Sequence, residues 1–265
     1  MSYPIVFIHK GYSSYMEFSL HQATDFNPGR EIVLLGDTAN NRFSGITHVD
    51  IAALSNGARE FAGVYRHHST NSPDYELFCL QRWFILRDYM RERQVECCFV
   101  GDTDVLYYED FQYVFDAFAA GKFTCGMLIY PERNAASAGV SVWTLASLEA
   151  FCEFCFRTYA EPDGLERLLD RRGGDRQAGI SDMDLARGFL ETLPSGQVLN
   201  LADIISGRAI DVNFNIPNGC YIGEYRMDFL KLHKLVKWEN NRPRCCNSRL
   251  QRWVNFSALH FQGPA

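Results

Sequence analysis

The stretch Val95-Glu96-Cys97-Cys98-Phe99-Val100-Gly101-Asp102-Thr103-Asp104-Val105-Leu106 decides how the rest of the chain is read. Its first half is a short apolar run, which predicts a strand over Val95 to Val100 covered on both faces. Strands of that kind belong to parallel sheets between helices, where ligands lie outside the carboxyl ends of the strands. Asp102 and Asp104 follow directly, at i and i+2, so both carboxylates stand at the mouth of that strand. Two oxygen donors placed there can be aimed at one hard divalent cation. A bare D-x-D is common, and its bland reading is a pair of solvated turn aspartates; its place after a strand gives this one weight.

Working outward, Pro4 to Ile8 and Glu31 to Leu35 are further apolar strands, the second ended by Gly36-Asp37, and Thr47 to Ile51 is a third. Tyr15 to Phe26 has helical spacing. Ser72-Pro73-Asp74 opens a long helix from Tyr75 to about Arg93, whose apolar residues Leu77, Phe78, Leu80, Phe84, Ile85 and Tyr89 recur at three and four. Asp110 to Ala120 reads as helix and Phe123 to Tyr130 as strand. This alternation predicts an α/β fold with a mostly parallel central sheet flanked by helices. The polar clusters His9 to Ser14, Gly36-Asp37 and Asp102 to Asp104 fall at strand ends. The second half is less regular: a strand over Ala138 to Trp143, a helix over Leu145 to Tyr159, and another over Ser181 to Leu193 with Ser181 as its N-cap. After Val198-Leu199 come short strands and turns. Without repeats or a linker, the chain reads as one domain over 1–265.

Composition sets the outer limits. The 265 residues are 47% hydrophobic and 22% charged, which suits one globular domain and excludes a disordered chain or a disulfide mini-scaffold. No run approaches the roughly 20 apolar residues of a membrane span. The start, Met1 to His9, has no basic residue and no cleavage pattern, so it reads as a first core strand rather than a signal peptide. Nine cysteines is an odd number, and Cys152 and Cys155 form a C-x-x-C inside an apolar helical run. Buried free thiols in a reducing, cytoplasmic setting are the expectation. The net charge is −6, yet residues 226 to 252 hold eight basic side chains against two acidic ones. That segment would attract an anionic acceptor or a membrane surface peripherally; its bland reading is a solvated basic face. No nucleic-acid-reading motif is present.

At the far end stands Ala258-Leu259-His260-Phe261-Gln262-Gly263. A lone histidine is more often structural than a ligand, but two carboxylates and one imidazole suit Mn²⁺ or a similar ion. Together these features resemble the GT-A glycosyltransferases, the nucleotide-diphospho-sugar transferases. The resemblance is carried by the Pro4–Ile8 strand, Gly36-Asp37, the long helix leading to Asp102-Thr103-Asp104, Ser181-Asp182-Met183-Asp184, and His260-Phe261-Gln262-Gly263. It spans nearly the whole chain on short motifs. Some members continue the ending as H-x-x-G-x-x-K, with a lysine that grips the diphosphate; this sequence reads Gly263-Pro264-Ala265 there.

The resemblance implies a Rossmann-like GT-A fold, with a nucleotide-binding half at 1–130 and an acceptor and donor-sugar half at 131–265, and a Mn²⁺- or Mg²⁺-dependent transfer of a hexose or pentose. The donor would be a nucleotide-diphosphate sugar, UDP favoured, and the acceptor a glycan or lipid-linked glycan. Asp104 and His260 would hold the metal, Asp102 would touch the ribose or the metal, and Thr103 would lie between the aspartates in the nucleotide site. Backbone around His9, Lys10 and Gly11 would cradle the nucleoside, and Asp37 would face the base. Arg82 would reach the diphosphate or the sugar. Asp182 or Asp184 would serve as general base or position the sugar; acids complementing a helix N-terminus are the plain reading of the same pair. The small residues from Ser137 to Ser141 would let a sugar approach, Trp143 would pack on it or sit in the core, and Arg171 to Gly179 would form a lid. Two other readings differ in class. The run Asp102 to Val105 also fits a haloacid-dehalogenase-like phosphatase, although Gly174-Asp175 lacks the aspartate that signature needs four residues on. A nucleotide-sugar-binding protein without turnover is the other.

Overall fold

A computed structural model describes residues 3–130, 135–171, 179–215, 224–228, 230–231 and 233–261. The order begins β1 (Ile5–Ile8), α1 (Tyr15–Phe26), β2 (Ile32–Gly36), β3 (Thr47–Asp50), α2 (Asn56–Val64), α3 (Pro73–Glu92) and β4 (Cys97–Gly101). It continues β5 (Val105–Tyr107), α4 (Gln112–Gly121), β6 (Cys125–Tyr130), β7 (Ala135–Thr144), α5 (Leu145–Ala160), α6 (Gly164–Arg171), α7 (Asp182–Leu190), β8 (Val198–Asn200) and β9 (Arg208–Ile210). The last strands are β10 (Met227–Asp228), β11 (His233–Lys234), β12 (Val236–Glu239), β13 (Arg242–Asn247) and β14 (Arg252–His260).

The apolar runs became strands because they are covered on both sides. Seven strands form one sheet in the order β3-β2-β1-β4-β7-β6-β8, and β7 alone runs against the others. Alternate residues sort to opposite faces. Val6, Ile8, Val33, Leu35, Cys98 and Val100 pack with Phe61 of α2, Trp83 of α3 and Phe151 of α5. Ile5, Phe7, Ile32, Leu34, Cys97 and Phe99 pack with Leu20 of α1 and Phe115 of α4. Each large side chain buried this way contributes roughly 1.5–3 kcal/mol. The carboxyl ends of β1, β2 and β4 therefore lie side by side.

A second sheet, β12-β13-β14-β5 with β9 alongside β14, carries the C-terminal half. The end of β14 pairs antiparallel with β5, so that His260 lies opposite Val105, Leu259 opposite Leu106 and Ala258 opposite Tyr107. This pairing brings the chain's tail to the D-x-D turn.

Trp143 is fully buried, and its indole N–H donates to Ser141 Oγ at 2.8 Å, so it belongs to the core rather than to a sugar-binding face. The eight described cysteines are free thiols, seven of them buried, with Cys98 and Cys97 on opposite faces of the sheet. Lys234, counted above with the basic surface segment, is buried. The segment read as a lid falls mainly on 172–178, and Gln262 and Gly263 of the terminal motif likewise lie outside the described residues. No described helix is long and apolar enough to cross a membrane.

Candidate active site

Asp102 leaves β4 and is fixed by its backbone N–H, which donates to the Gly139 carbonyl of the neighbouring β7 at 2.7 Å. A Cβ on Gly139 would stand 2.1 Å from Asp102 Oδ2, so a larger residue there would displace the carboxylate. On the other side Arg82, projecting from α3, donates through Nη1 to Asp102 Oδ1 at 2.6 Å and through Nη2 to Asp182 Oδ2 at 2.7 Å. The guanidinium also lies over the Trp83 ring, 4.7 Å from its centroid. Arg82 is thus a rigid bridge between the D-x-D turn and the first turn of α7. Burial by itself pushes the guanidinium toward neutrality, but the two carboxylates outweigh it and hold the charge. Burial, the largest influence on Asp102, raises its carboxyl; Arg82 pulls the other way and Asp104 adds to the rise.

Asp104 and His260 meet across the β5–β14 pairing, with Asp104 Oδ1 3.3 Å from His260 Nε2. His260 Nδ1 lies 2.9 Å from the Val212 carbonyl, which can only accept, so Nδ1 carries a proton. Burial would lower the imidazole's pKa, but its hydrogen bond to Asp104 and the charges of Asp104, Asp102 and Asp211 push it up to about 9. The His260 backbone is tied down as well. Its N–H donates to Asp211 Oδ2 at 3.1 Å, while Asp211 Oδ1 accepts from the buried Lys234 ammonium. Lys234 also donates to the Asn213 carbonyl.

Asp102, Asp104 and His260 each offer one ligand atom, all within 4.8 Å of one another. Two features of this cluster fit a cation. Asp104 Oδ1 is buried and faces His260 Nε2 at 3.3 Å, as two ligands of one ion would. Nδ1 of His260 is held by a carbonyl, the arrangement that orients a histidine to bind metal through Nε2. With His260 neutral, as a metal-ligating imidazole must be, Asp102, Asp104 and Asp182 against Arg82 leave two negative charges, matching a divalent ion.

Beside the cluster lies a cleft of about 380 Å³, lined in part by His9, Lys10, Tyr75, Arg82, Thr103 and Asp104. Its floor is the loop after β1, braced from behind. Asn40 Nδ2 donates to the His9 and Gly11 carbonyls at 2.8 and 2.9 Å, and Asn40 Oδ1 lies 3.0 Å from His48 Nε2. The Gly11 N–H donates to Asp37 Oδ2 at 2.8 Å, and Asp37 Oδ1 accepts from Ala39 N–H at 3.0 Å. Asp37 thus shapes this loop. Thr103 Oγ1 reaches His9 Nδ1 at 2.9 Å, joining the loop to the D-x-D turn. Burial lowers the pKa of His9 against the pull of Asp37 and Asp104.

Asp184 has a different task from Asp182. Its Oδ2 accepts from the Ser181 backbone N–H at 2.9 Å and from Ser181 Oγ at 2.8 Å, closing a capping box that fixes where α7 begins. Asp182, the first residue of that helix, faces Arg82.

No protein-family model matches the chain, and no curated protein matches it in sequence. Among solved structures it is similar to mouse xyloside xylosyltransferase 1 in its apo form, with a TM-score of 0.55 and 10% identity over 79% of this chain and 88% of that one. The fold is one that a glycosyltransferase uses. Two further likenesses are looser. The bifunctional glycosyltransferase WbbM aligns at TM-score 0.46 and 11% identity over 80% of this chain and 40% of that one. The glycosyltransferase PaToxG aligns at 0.42 and 13% over 71% and 68%.

Of the residues singled out from sequence, Asp102, Thr103, Asp104, His260, Arg82, His9, Lys10 and Asp182 converge on this region. Asn40, Asp211, Lys234 and Tyr75 were missed. An asparagine in a polar loop and a lysine in a basic run carry no sign of burial; Tyr75 opens a helix, where an exposed ring is unremarked.

Proposed function

We propose that the protein is a metal-dependent glycosyltransferase that moves a sugar from a nucleotide-diphosphate donor, UDP favoured, to a hydroxyl of a glycan or lipid-linked glycan. The observation that carries this reading is the convergence of Asp102, Asp104 and His260 beside a braced loop at the carboxyl ends of parallel strands, with the buried Asp104 Oδ1 facing His260 Nε2.

Asp104 and His260 would be the principal ligands of Mn²⁺ or Mg²⁺, with Asp102 completing the set. The bound ion would neutralise the diphosphate as it departs. The loop from His9 to Gly11 would seat the nucleoside, and the exposed Tyr75 ring at the cleft offers a stacking face for the base. Arg82 holds Asp102 and Asp182 in register, and so couples the metal side of the site to the sugar side. Asp182 would accept the acceptor hydroxyl's proton in an inverting reaction, or position the donor sugar in a retaining one. Asp184 would keep the start of α7 in place for that task.

A thermal-shift panel tests the reading: UDP-glucose, UDP-galactose, UDP-xylose and GDP-mannose, each with and without Mn²⁺. A ligand present at a hundred times its Kd stabilises the folded state by about 2.7 kcal/mol. The expected result is a rise in melting temperature with one UDP-sugar that requires the metal. Stabilisation by none of the donors, or equal stabilisation with the metal chelated, contradicts the reading.

A further inference from the structure

Among the described residues, eight large hydrophobic side chains are exposed, and five of them lie between Leu230 and Trp253: Leu230, Leu235, Trp238, Leu250 and Trp253. The same short stretch holds the chain's basic excess. Strand register places much of it on one face. Lys237 pairs with Arg244, and Arg244 with Asn255; two residues along, on the same side of the pleat, Cys246 pairs with Trp253. Leu235 continues β12 by one residue before Val236, which pairs with Cys245, and so it falls in line with Cys246 and Trp253. The Leu235 N–H donates to the Arg226 carbonyl at 2.8 Å, Arg226 N–H to the Cys246 carbonyl at 2.9 Å, and Ser248 N–H to the Glu224 carbonyl, which brings residues 224–226 to the same edge. The turn before β14 adds the exposed Arg249 and Leu250. On this face Arg226 and Lys237 form no ion pair with a described carboxylate, whereas Arg242 is taken by Glu109, Arg244 by Glu239, Arg249 by Glu224 and Lys231 by Asp228.

We propose that this face of the C-terminal sheet is a docking surface for a membrane rich in anionic lipid. A tryptophan and leucines rimmed by free lysine and arginine side chains suit the boundary between headgroups and acyl chains. Basic residues near an anionic surface add about fivefold in binding each. A second copy of the chain is the poorer occupant, since a twofold contact through this patch sets the same unpaired cations against one another. His260 lies eight residues beyond Arg252 on β14, so the metal cluster would stand at most about 26 Å from the membrane end of that strand. That reach suits an acceptor projecting from the surface rather than the headgroup itself. The proposal does not depend on the metal site, because docking is measured with no donor present.

Co-sedimentation of the full chain with vesicles of phosphatidylcholine alone, and of equimolar phosphatidylcholine and phosphatidylglycerol, tests it. Retention by the mixed vesicles only is expected, with a blue shift of tryptophan emission that Trp253→Ser largely removes. The double variant Arg226→Glu with Lys237→Glu should weaken retention by at least about twentyfold while keeping the wild-type melting temperature. Equal behaviour on both vesicles, or binding of a soluble anionic polysaccharide in place of vesicles, overturns the proposal. So does a concentration-dependent dimer in sedimentation that the double variant abolishes.

Discussion

Replacing Asp104 with alanine lowers the affinity for UDP in the presence of Mn²⁺ by more than about a hundredfold, because even the outer partners of a metal ligand cost ten- to a hundredfold when lost. Asp104 supplies a buried carboxylate oxygen whose neighbour is the other principal ligand, His260 Nε2. Asp102 is different, since one of its oxygens is already engaged by Arg82 at 2.6 Å. Loss of Asp104 therefore removes the best-placed donor and leaves Arg82's bridge intact. Titration calorimetry with UDP and Mn²⁺ reads the effect. Circular dichroism of the metal-free variant separates a lost site from a lost fold. Undiminished metal-dependent binding would move the site elsewhere.

Lys234→Met is expected to destabilise the protein by about 3–5 kcal/mol, the cost of leaving one member of a buried ion pair uncompensated. Lys234 and Asp211 have side-chain exposures of 2% and 0%, so water cannot replace the missing partner. In a chain of this size the melting temperature should fall by roughly 10 °C. The double variant Lys234→Met with Asp211→Leu removes both charges and should recover most of that loss, as apolar replacements of buried pairs do. It cannot restore the acceptor for the His260 backbone N–H. The double variant should therefore fold near the wild-type temperature and still bind Mn²⁺ more weakly. A double variant as unstable as Lys234→Met alone would show that the pair's charges are not what the fold depends on.

Much of this arrangement is legible from sequence where burial is two-sided. The runs at β1, β2 and β4 are apolar throughout because helices cover both faces of the sheet, and their ends mark the ligand side. Helix α1 begins and ends where its spacing predicts, at Tyr15 and Phe26. Helix α2 escapes because only Gly57, Ala58 and Phe61 are buried on it, too little apolar bulk to show a period. Helix α6 carries Leu165, Leu168 and Leu169 at helical spacing, three buried apolar residues in an otherwise charged run. The site divides in the same way. D-x-D after a strand declares itself, but His260 acquires meaning only through the pairing of β14 with β5, a contact between distant parts of the chain. Asn40 and Lys234 act from behind the site, through burial that their polar neighbours in sequence conceal. Gly139 could be read as small but not as the residue that makes room for Asp102.

The most direct measurement is anomalous diffraction from a crystal soaked with MnCl₂ and UDP. The account places a manganese peak between the Asp104 and His260 side chains, within coordination distance of both and of the UDP diphosphate. A diphosphate bound without that peak, or manganese bound away from Asp104 and His260, would contradict it.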